Sequence, residues 1–327
     1  KIVIFKNMEY LNLDKLTLVI LSYNRHGYLK RTIKYWSNYD VKLMILDGSD
    51  VRLEDSCLEA KNIKYIHNTR GIHNRFLSTI DLIDTEFMML AGDDEFYLPS
   101  ALSSCIKFLK NEPTYYSCGG RALAFGHDGK NYFGFEPYPK LKDLSLDSND
   151  PMERIFKHFS VYVPAHVYSV MRSSKWNIIC NNIFKKKYAF DSSDELQIEF
   201  LVMVSGKSKI IPHLLWMRNR EVPSILEKNP QFRSPQIGEW WFAKKNENEK
   251  KDFLKKMKKA CDEISTNQNS PLTENKILML FELYISKPVF KKNPLKRIVN
   301  FFQIQKKKLT KFIIGRDQIR FSSIIDK

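Results

Sequence analysis

The segment Met88-Met89-Leu90-Ala91-Gly92-Asp93-Asp94-Glu95-Phe96-Tyr97-Leu98-Pro99 runs from an apolar stretch straight into three consecutive carboxylates. Adjacent acids repel one another unless protonation, water or a hard cation relieves them, and Mg²⁺ or Mn²⁺ takes oxygen ligands. A strand that ends in Asp93, Asp94 and Glu95 is therefore a candidate metal site, with a nucleotide diphosphate able to supply the remaining oxygens. A solvated acidic turn would carry the same residues, so the neighbouring segments decide the matter.

Three other segments offer complementary chemistry. Asp47, followed by Gly48 and Ser49, could accept a hydrogen bond from a nucleobase or a ribose hydroxyl, although the same residues also form ordinary turns. Asn24 and Arg25, after Ser22 and Tyr23, could hold a ribose or phosphate, or cap the helix that follows. Gly71-Ile72-His73-Asn74-Arg75, just after His67-Asn68, opens a helix whose first N–H groups, with Arg75, would face an anion. The sequence contains no GxxxxGK phosphate loop.

These residues need elements to position them. Leu16-Thr17-Leu18-Val19-Ile20-Leu21 is a continuous apolar, β-branched run, followed by a helical pattern carrying Leu29, Ile33 and Trp36. Lys42–Leu46, Ile63–Ile66 and Glu86–Leu90 repeat the strand signal, and helix-length segments between strands predict crossovers and a parallel sheet. In such sheets ligands sit beyond the carboxyl ends of the strands, so the four polar segments are expected to converge on one edge.

The order Leu18-Val19-Ile20-Leu21-Ser22-Tyr23-Asn24-Arg25, Leu46-Asp47-Gly48-Ser49, Asn68 with Gly71 and Asn74-Arg75, then Gly92-Asp93-Asp94-Glu95-Phe96 with Pro99, resembles family 2 glycosyltransferases of the GT-A fold. The resemblance covers residues 14 to 125 well and extends more weakly to 220. It implies an α/β, Rossmann-like, mostly parallel sheet flanked by helices, and a nucleotide-diphosphosugar donor. Asp47 would then lie at the base or ribose, and Asp93-Asp94-Glu95 would stand for the metal-binding DxD motif. The third position is Glu, and Gly92 stands where many relatives carry another acid, which leaves open which carboxylates touch the metal.

Similar enzymes place an acidic pair before a later helix, and one member is the general base. Asp194-Glu195 precedes such a pattern here. Distance to Gly206 matches Glu195 to the family's base, whereas residue type favours Asp194. Some GT-A enzymes also bring a late His to the metal and a late Arg to the diphosphate, which makes His213, Arg218 and Arg220 candidates. His166, Tyr168 and Trp176 could shape an acceptor pocket, because aromatic faces suit sugar rings, or could pack in the core.

With 327 residues and 43% hydrophobic content the chain can bury one sizeable core and a smaller appended one. We expect a nucleotide-sugar-binding half over 1–125, an acceptor-binding half over 126–243 and a helical basic C-terminal extension over 244–327. The N-terminus is too soon charged for a signal peptide, and the five scattered cysteines suggest neither disulfides nor a zinc knuckle. A cytoplasmic protein is expected. The net charge of +16 favours anionic partners, and residues 287–316 hold ten Lys or Arg and four aromatics with no acid. That stretch has the character of a helix lying on an anionic membrane, or of a basic helix covering the protein's own surface. Nucleic acid is disfavoured, since no recognised motif accompanies the charge.

The sequence thus points to a metal-dependent, inverting transferase that moves a sugar to a glycan or lipid-linked acceptor in bacterial surface polysaccharide synthesis. A nucleotide- or glycan-binding protein without turnover, and a sugar nucleotidyltransferase, are the alternatives that share these features.

Overall fold

The computed structural model describes residues 11–127, 131–190, 192–220, 233–265 and 271–290. Four strands, β1 (Leu16–Ser22), β2 (Lys42–Asp47), β3 (Ile63–His67) and β4 (Phe87–Gly92), form a parallel ladder in the order β3-β2-β1-β4. They fall where the apolar runs predict them. Two helices, α1 (His26–Trp36) and α2 (Ile72–Leu77), lie in the crossovers. After the short β5 (Phe96–Tyr97), Pro99 opens α3 (Pro99–Asn111), a position where a missing N–H costs nothing.

The sheet continues through β6 (Tyr115–His127), β7 (Tyr132–Phe135), β8 (Ser145–Leu146), β9 (Val170–Arg172) and β10 (Lys207–Asn219). Beyond β4 its order is β9-β6-β10-β5; β10 runs parallel to β6, whereas β9 is antiparallel to both β4 and β6. The sheet is therefore parallel through its first four strands and mixed beyond them. Helices α4 (Pro151–Val161), α5 (Trp176–Ile183) and α6 (Ser193–Ser205) come from the intervening segments, followed by α7 (Ile237–Phe242), α8 (Glu247–Ile264) and α9 (Glu274–Phe290).

Both faces of the central strands are covered, which is why their sequences read as continuous apolar runs rather than alternating ones. Val19, Met44, Met88 and Leu90 face a core shared with α4, α5 and α6, while Leu18, Ile20, Ile45 and Met89 face the core under α1 and α3. The first core takes in Phe253, Leu254, Met257 and Ala260 of α8, as their helical spacing predicts, and Phe281 of α9 stacks on Phe200 of α6. Through residue 286 the C-terminal helices are thus built into the main core. From residue 291 onward the basic stretch read as membrane-facing lies outside the described residues. Among the described residues no helix is long and apolar enough to cross a membrane.

Candidate functional site

Ladder register brings the four polar segments together. Ser22 pairs with Asp47, Asp47 with His67, and Leu21 with Gly92, so β1 to β4 end level along one edge. The loop after β1 turns at Asn24, whose φ of 52° lies in the left-handed region that Asn tolerates better than most residues. Asn24 is stitched to the neighbouring loop: its N–H donates to Ser49 Oγ, its amide donates to Asp50, and its Oδ1 accepts from Asp50 N. The loop after β3 turns at Gly71, with φ 96°, where a side chain would be strained. Asn68 Oδ1 accepts from Arg70 N, and Asn74 donates to Arg70 O, so both exposed-edge amides shape this loop.

Asp47 is fully buried at the end of β2. Its Oδ1 accepts from the N–H (2.9 Å) and Oγ (2.5 Å) of Ser49, and its Oδ2 from Tyr65 Oη (2.6 Å), with His26 Nε2 at 3.1 Å. Burial pushes this carboxyl up, but the bonds from Ser49, Tyr65 and His26 outweigh it and hold the pKa below the ordinary value. Asp47 is therefore a fixed anion, with half-exposed His26 between it and the open edge. Sequence reasoning did not single out His26 or Tyr65.

Arg75 needs correction as a donor-binding residue. It is buried, and its guanidinium donates to the carbonyls of Ser22 (2.8 Å) and Leu46 (3.3 Å). A Cβ added at Gly48 would sit 2.4 Å from the same guanidinium, so Gly48 is the space that lets Arg75 brace two strand ends from below.

The acidic cluster is divided by its surroundings. Asp93 is fully buried: Ser22 Oγ donates to its Oδ2 (2.7 Å), Arg25 Nη2 pairs with its Oδ1 (2.7 Å), and Thr32 Oγ1 donates to its carbonyl. Burial raises its pKa to about 6 despite Arg25 and Ser22. Glu95 turns the other way, accepting from Trp216 Nε1 (2.6 Å) and Tyr97 Oη (2.9 Å), with Arg218 Nε 3.4 Å away. Burial raises its pKa as well, against the pull of Arg218. Asp94 stands between them, partly exposed, with Oδ2 on Arg25 Nη1 at 2.7 Å and no hydrogen bond to Oδ1 among the described residues. Asp93 Oδ1 is ion-paired with Arg25 without an aligned hydrogen bond, Glu95 is held by Trp216, Tyr97 and Arg218, and Asp94 Oδ1 has no hydrogen bond among the described residues.

A second wall faces this cluster. Arg218 donates to Tyr138 Oη, and Tyr138 and Tyr168 pack on the Trp216 ring, with centroids 5.8 and 4.8 Å away. Burial pushes both phenols up, and the negative charges of Glu95 and Glu195 push them further. Glu195, in the first turn of α6, accepts from Tyr162 Oη at 2.7 Å through its Oε1, and α6 packs against the 3₁₀ turn His166–Tyr168 that carries Tyr168. Asp194, one residue earlier in the first turn of α6, points elsewhere. Its Oδ2 lies 2.8 Å from His73 Nε2, and His73 Nδ1 lies 3.1 Å from Phe184 O. Both atoms facing the His73 ring, Asp194 Oδ2 and Phe184 O, are acceptor oxygens. His73 was not singled out either, although its place in the first turn after Gly71 put it at the sheet edge.

Three further expectations fail on burial or placement. Trp176 is no pocket wall: it is fully buried, donates to Thr79 Oγ1 and packs on Phe76. His166 is likewise interior, its Nδ1 2.9 Å from Ser208 Oγ. His213 is exposed in an irregular part of β10, between Ile210 and Leu214, where the register with β6 shifts. It has no contact with the carboxylates among the described residues. Arg220 is exposed at the end of β10, its N–H on Phe125 O. Tyr23 is half-buried in the loop that carries Asn24 and Arg25.

Residues 17–174 match the model of the glycosyl transferase family 2. No curated protein matches the chain. Among solved structures, residues 1–349 of S. aureus TarS align at 10% identity with a TM-score of 0.46, covering 85% of this chain and 91% of that one. The same protein in complex with UDP-GlcNAc aligns at 11% identity with a TM-score of 0.48 and the same coverage.

Proposed function

We propose that the chain, whose residues 17–174 match the glycosyl transferase family 2, is a glycosyltransferase of GT-A type that transfers a sugar from a nucleotide-diphosphosugar with inversion, using Glu195 as the general base. The observation that carries this reading is the packing of α6, with Glu195 in its first turn, against the 3₁₀ turn whose Tyr168 packs on Trp216, the residue that with Arg218 holds Glu95. A base on one side and cations on the other is what displacement at an anomeric carbon requires: the acceptor oxygen loses its proton as it attacks, and the diphosphate leaves toward positive charge. Asp194, which the sequence left as an equal candidate, is better explained as an anchor for α6, because His73 already holds it.

The divalent ion that the fold implies fits this chain at Asp94. A hard carboxylate oxygen suits Mg²⁺ or Mn²⁺, and Asp94 Oδ1 has no other partner among the described residues. Such an ion supplies charge to the leaving diphosphate when bound. The chain's own residues do the rest. Asp47 with His26, Ser49 and Asn24 orients the nucleoside, Arg25 and Arg218 neutralise the diphosphate side, and Tyr138, Tyr168 and Trp216 present flat faces to a sugar ring. The acceptor is a glycan or lipid-linked glycan of a bacterial surface polymer, and the acid-free stretch 287–316 supplies charge for contact with an anionic membrane on the cytosolic side. Turnover of common nucleotide sugars, assayed with and without Mn²⁺, tests the reading. Metal-stimulated release of the nucleoside diphosphate from one donor is expected, and no turnover of any donor at any metal concentration overturns it.

The anchor role of Asp194 has its own test. His73→Ala should cost about 1.5–3 kcal/mol of stability, the range for a hydrogen bond to a charged group. Asp194→Asn added to it should then cost little more, because both changes remove one interaction. Denaturant melts of the two single variants and the double variant read this directly, and additive losses would show that the pair is not coupled.

A further inference from the structure

One turn below Glu195 on α6 lies a group that the proposed transfer does not use. Glu199 of α6, His158 of α4 and His166 of the 3₁₀ turn His166–Tyr168 are all buried, at 0%, 1% and 1% exposure. One ligating atom from each lies within 4.8 Å of the other two. The two imidazole rings meet edge to face, 4.8 Å between centroids at 82°. Their surroundings are apolar, with Phe159 and Phe200 in the same core.

Hydrogen bonding alone leaves this group unfinished. Glu199 Oε1 accepts from Val167 N at 2.8 Å, but Oε2, although 2.8 Å from His158 Nε2, accepts no aligned hydrogen bond among the described residues. His166 Nε2 is equally without a hydrogen-bond partner among them, while its Nδ1 is held by Ser208 Oγ. Buried polar atoms are almost always satisfied, so two unsatisfied ones within a single buried group ask for a common partner. A cation suits both lone pairs at once, and a buried carboxylate suits the cation.

We propose that His158 Nε2, His166 Nε2 and Glu199 Oε2 form a second, buried site for a divalent transition metal, with zinc favoured by the ligand set. Two imidazoles and one carboxylate are borderline donors of the kind Zn²⁺ takes, unlike the oxygen-only set at Asp94. At zinc–ligand distances of about 2.0–2.2 Å the donors of a tetrahedron stand about 3.3 Å apart, so shifts of an ångström or less bring the three atoms into place. The outer contacts are the ones such a site needs. Ser208 on Nδ1 turns the His166 ring so that Nε2 faces inward, and Val167 N fixes the Glu199 carboxylate. Three protein donors leave a fourth position for an enclosed water. The ion would tie α4, the 3₁₀ turn and α6 together directly beneath the residue we assign as base. Because the ligands are buried, the ion enters as the chain folds.

The test uses the full chain. Protein produced in zinc-supplemented medium and exhaustively exchanged into metal-free buffer should retain about one equivalent of zinc per chain. His166→Ala and Glu199→Gln should lower retention by about 10–100-fold, as loss of a ligand or its support does, whereas Asp94→Asn should keep it. Refolding with a chelator should lower the melting temperature, and zinc during refolding should restore it. Should the ligand variants fail to fold, cobalt-substituted wild type carries the decision, through the visible ligand-field bands of a tetrahedral nitrogen–oxygen site. Wild type that retains no zinc and shows no such bands overturns the proposal, as does zinc retained equally by a folded His166→Ala variant.

Discussion

Glu195→Gln is expected to lower sugar transfer by roughly 100-fold or more while leaving donor affinity nearly unchanged, the signature of losing a general base rather than a binding contact. The amide keeps the hydrogen bond from Tyr162 Oη, because its carbonyl oxygen can still accept at the position Oε1 holds. What it loses is the capacity to take a proton. Asp194→Asn, in contrast, should reduce transfer far less, since that carboxylate is held by His73, which is itself fixed on Phe184 O. Steady-state kinetics on both variants, with donor affinity measured by calorimetry, separate the two acids. Near-normal transfer by Glu195→Gln, or a product that keeps the donor's anomeric configuration, would remove the base from the mechanism.

This division of labour between neighbouring acids marks the limit of what the sequence shows. The strands, their parallel order and the convergence of Ser22, Asp47, Asn68 and Asp93 were legible because a sheet buried on both faces writes itself as apolar runs, and polar residues stop those runs at one end. The helix carrying Asp194 and Glu195 was legible for a similar reason. Side-chain direction was not. Asp194 and Glu195 are about 100° apart around a helix, so one meets His73 and the other Tyr162, and no spacing rule says which faces the donor. The same holds at the sheet edge. Arg75 lies close enough in sequence to Gly71 to read as an anion ligand, yet the gap at Gly48 draws it under the strands. Trp176 and His166 show the converse error, since aromatic and imidazole side chains serve a core as readily as a pocket. Their partners, Thr79 and Ser208, are distant in sequence and carry no local signal.

Asp94→Asn is expected to lower metal-stimulated turnover by roughly 100-fold or more, because a bound divalent ion contributes several kcal/mol of charge stabilisation to the departing diphosphate. The fold should survive: Asp94 is partly exposed, and Arg25 keeps its 2.7 Å pair with Asp93. The adjacent acid should behave differently. Asp93 is buried with its pKa raised to about 6, so between the ordinary Asp value and pH 6 the folded chain binds more protons than the unfolded one. Its contribution to stability therefore falls as pH rises through that window, and Asp93→Asn should flatten the fall. Metal titrations of turnover and denaturant melts across pH 4–7 on both variants read the two effects separately. Full turnover by Asp94→Asn at limiting Mn²⁺ would show that the ion is held elsewhere, or that the leaving diphosphate is stabilised by Arg25 and Arg218 alone.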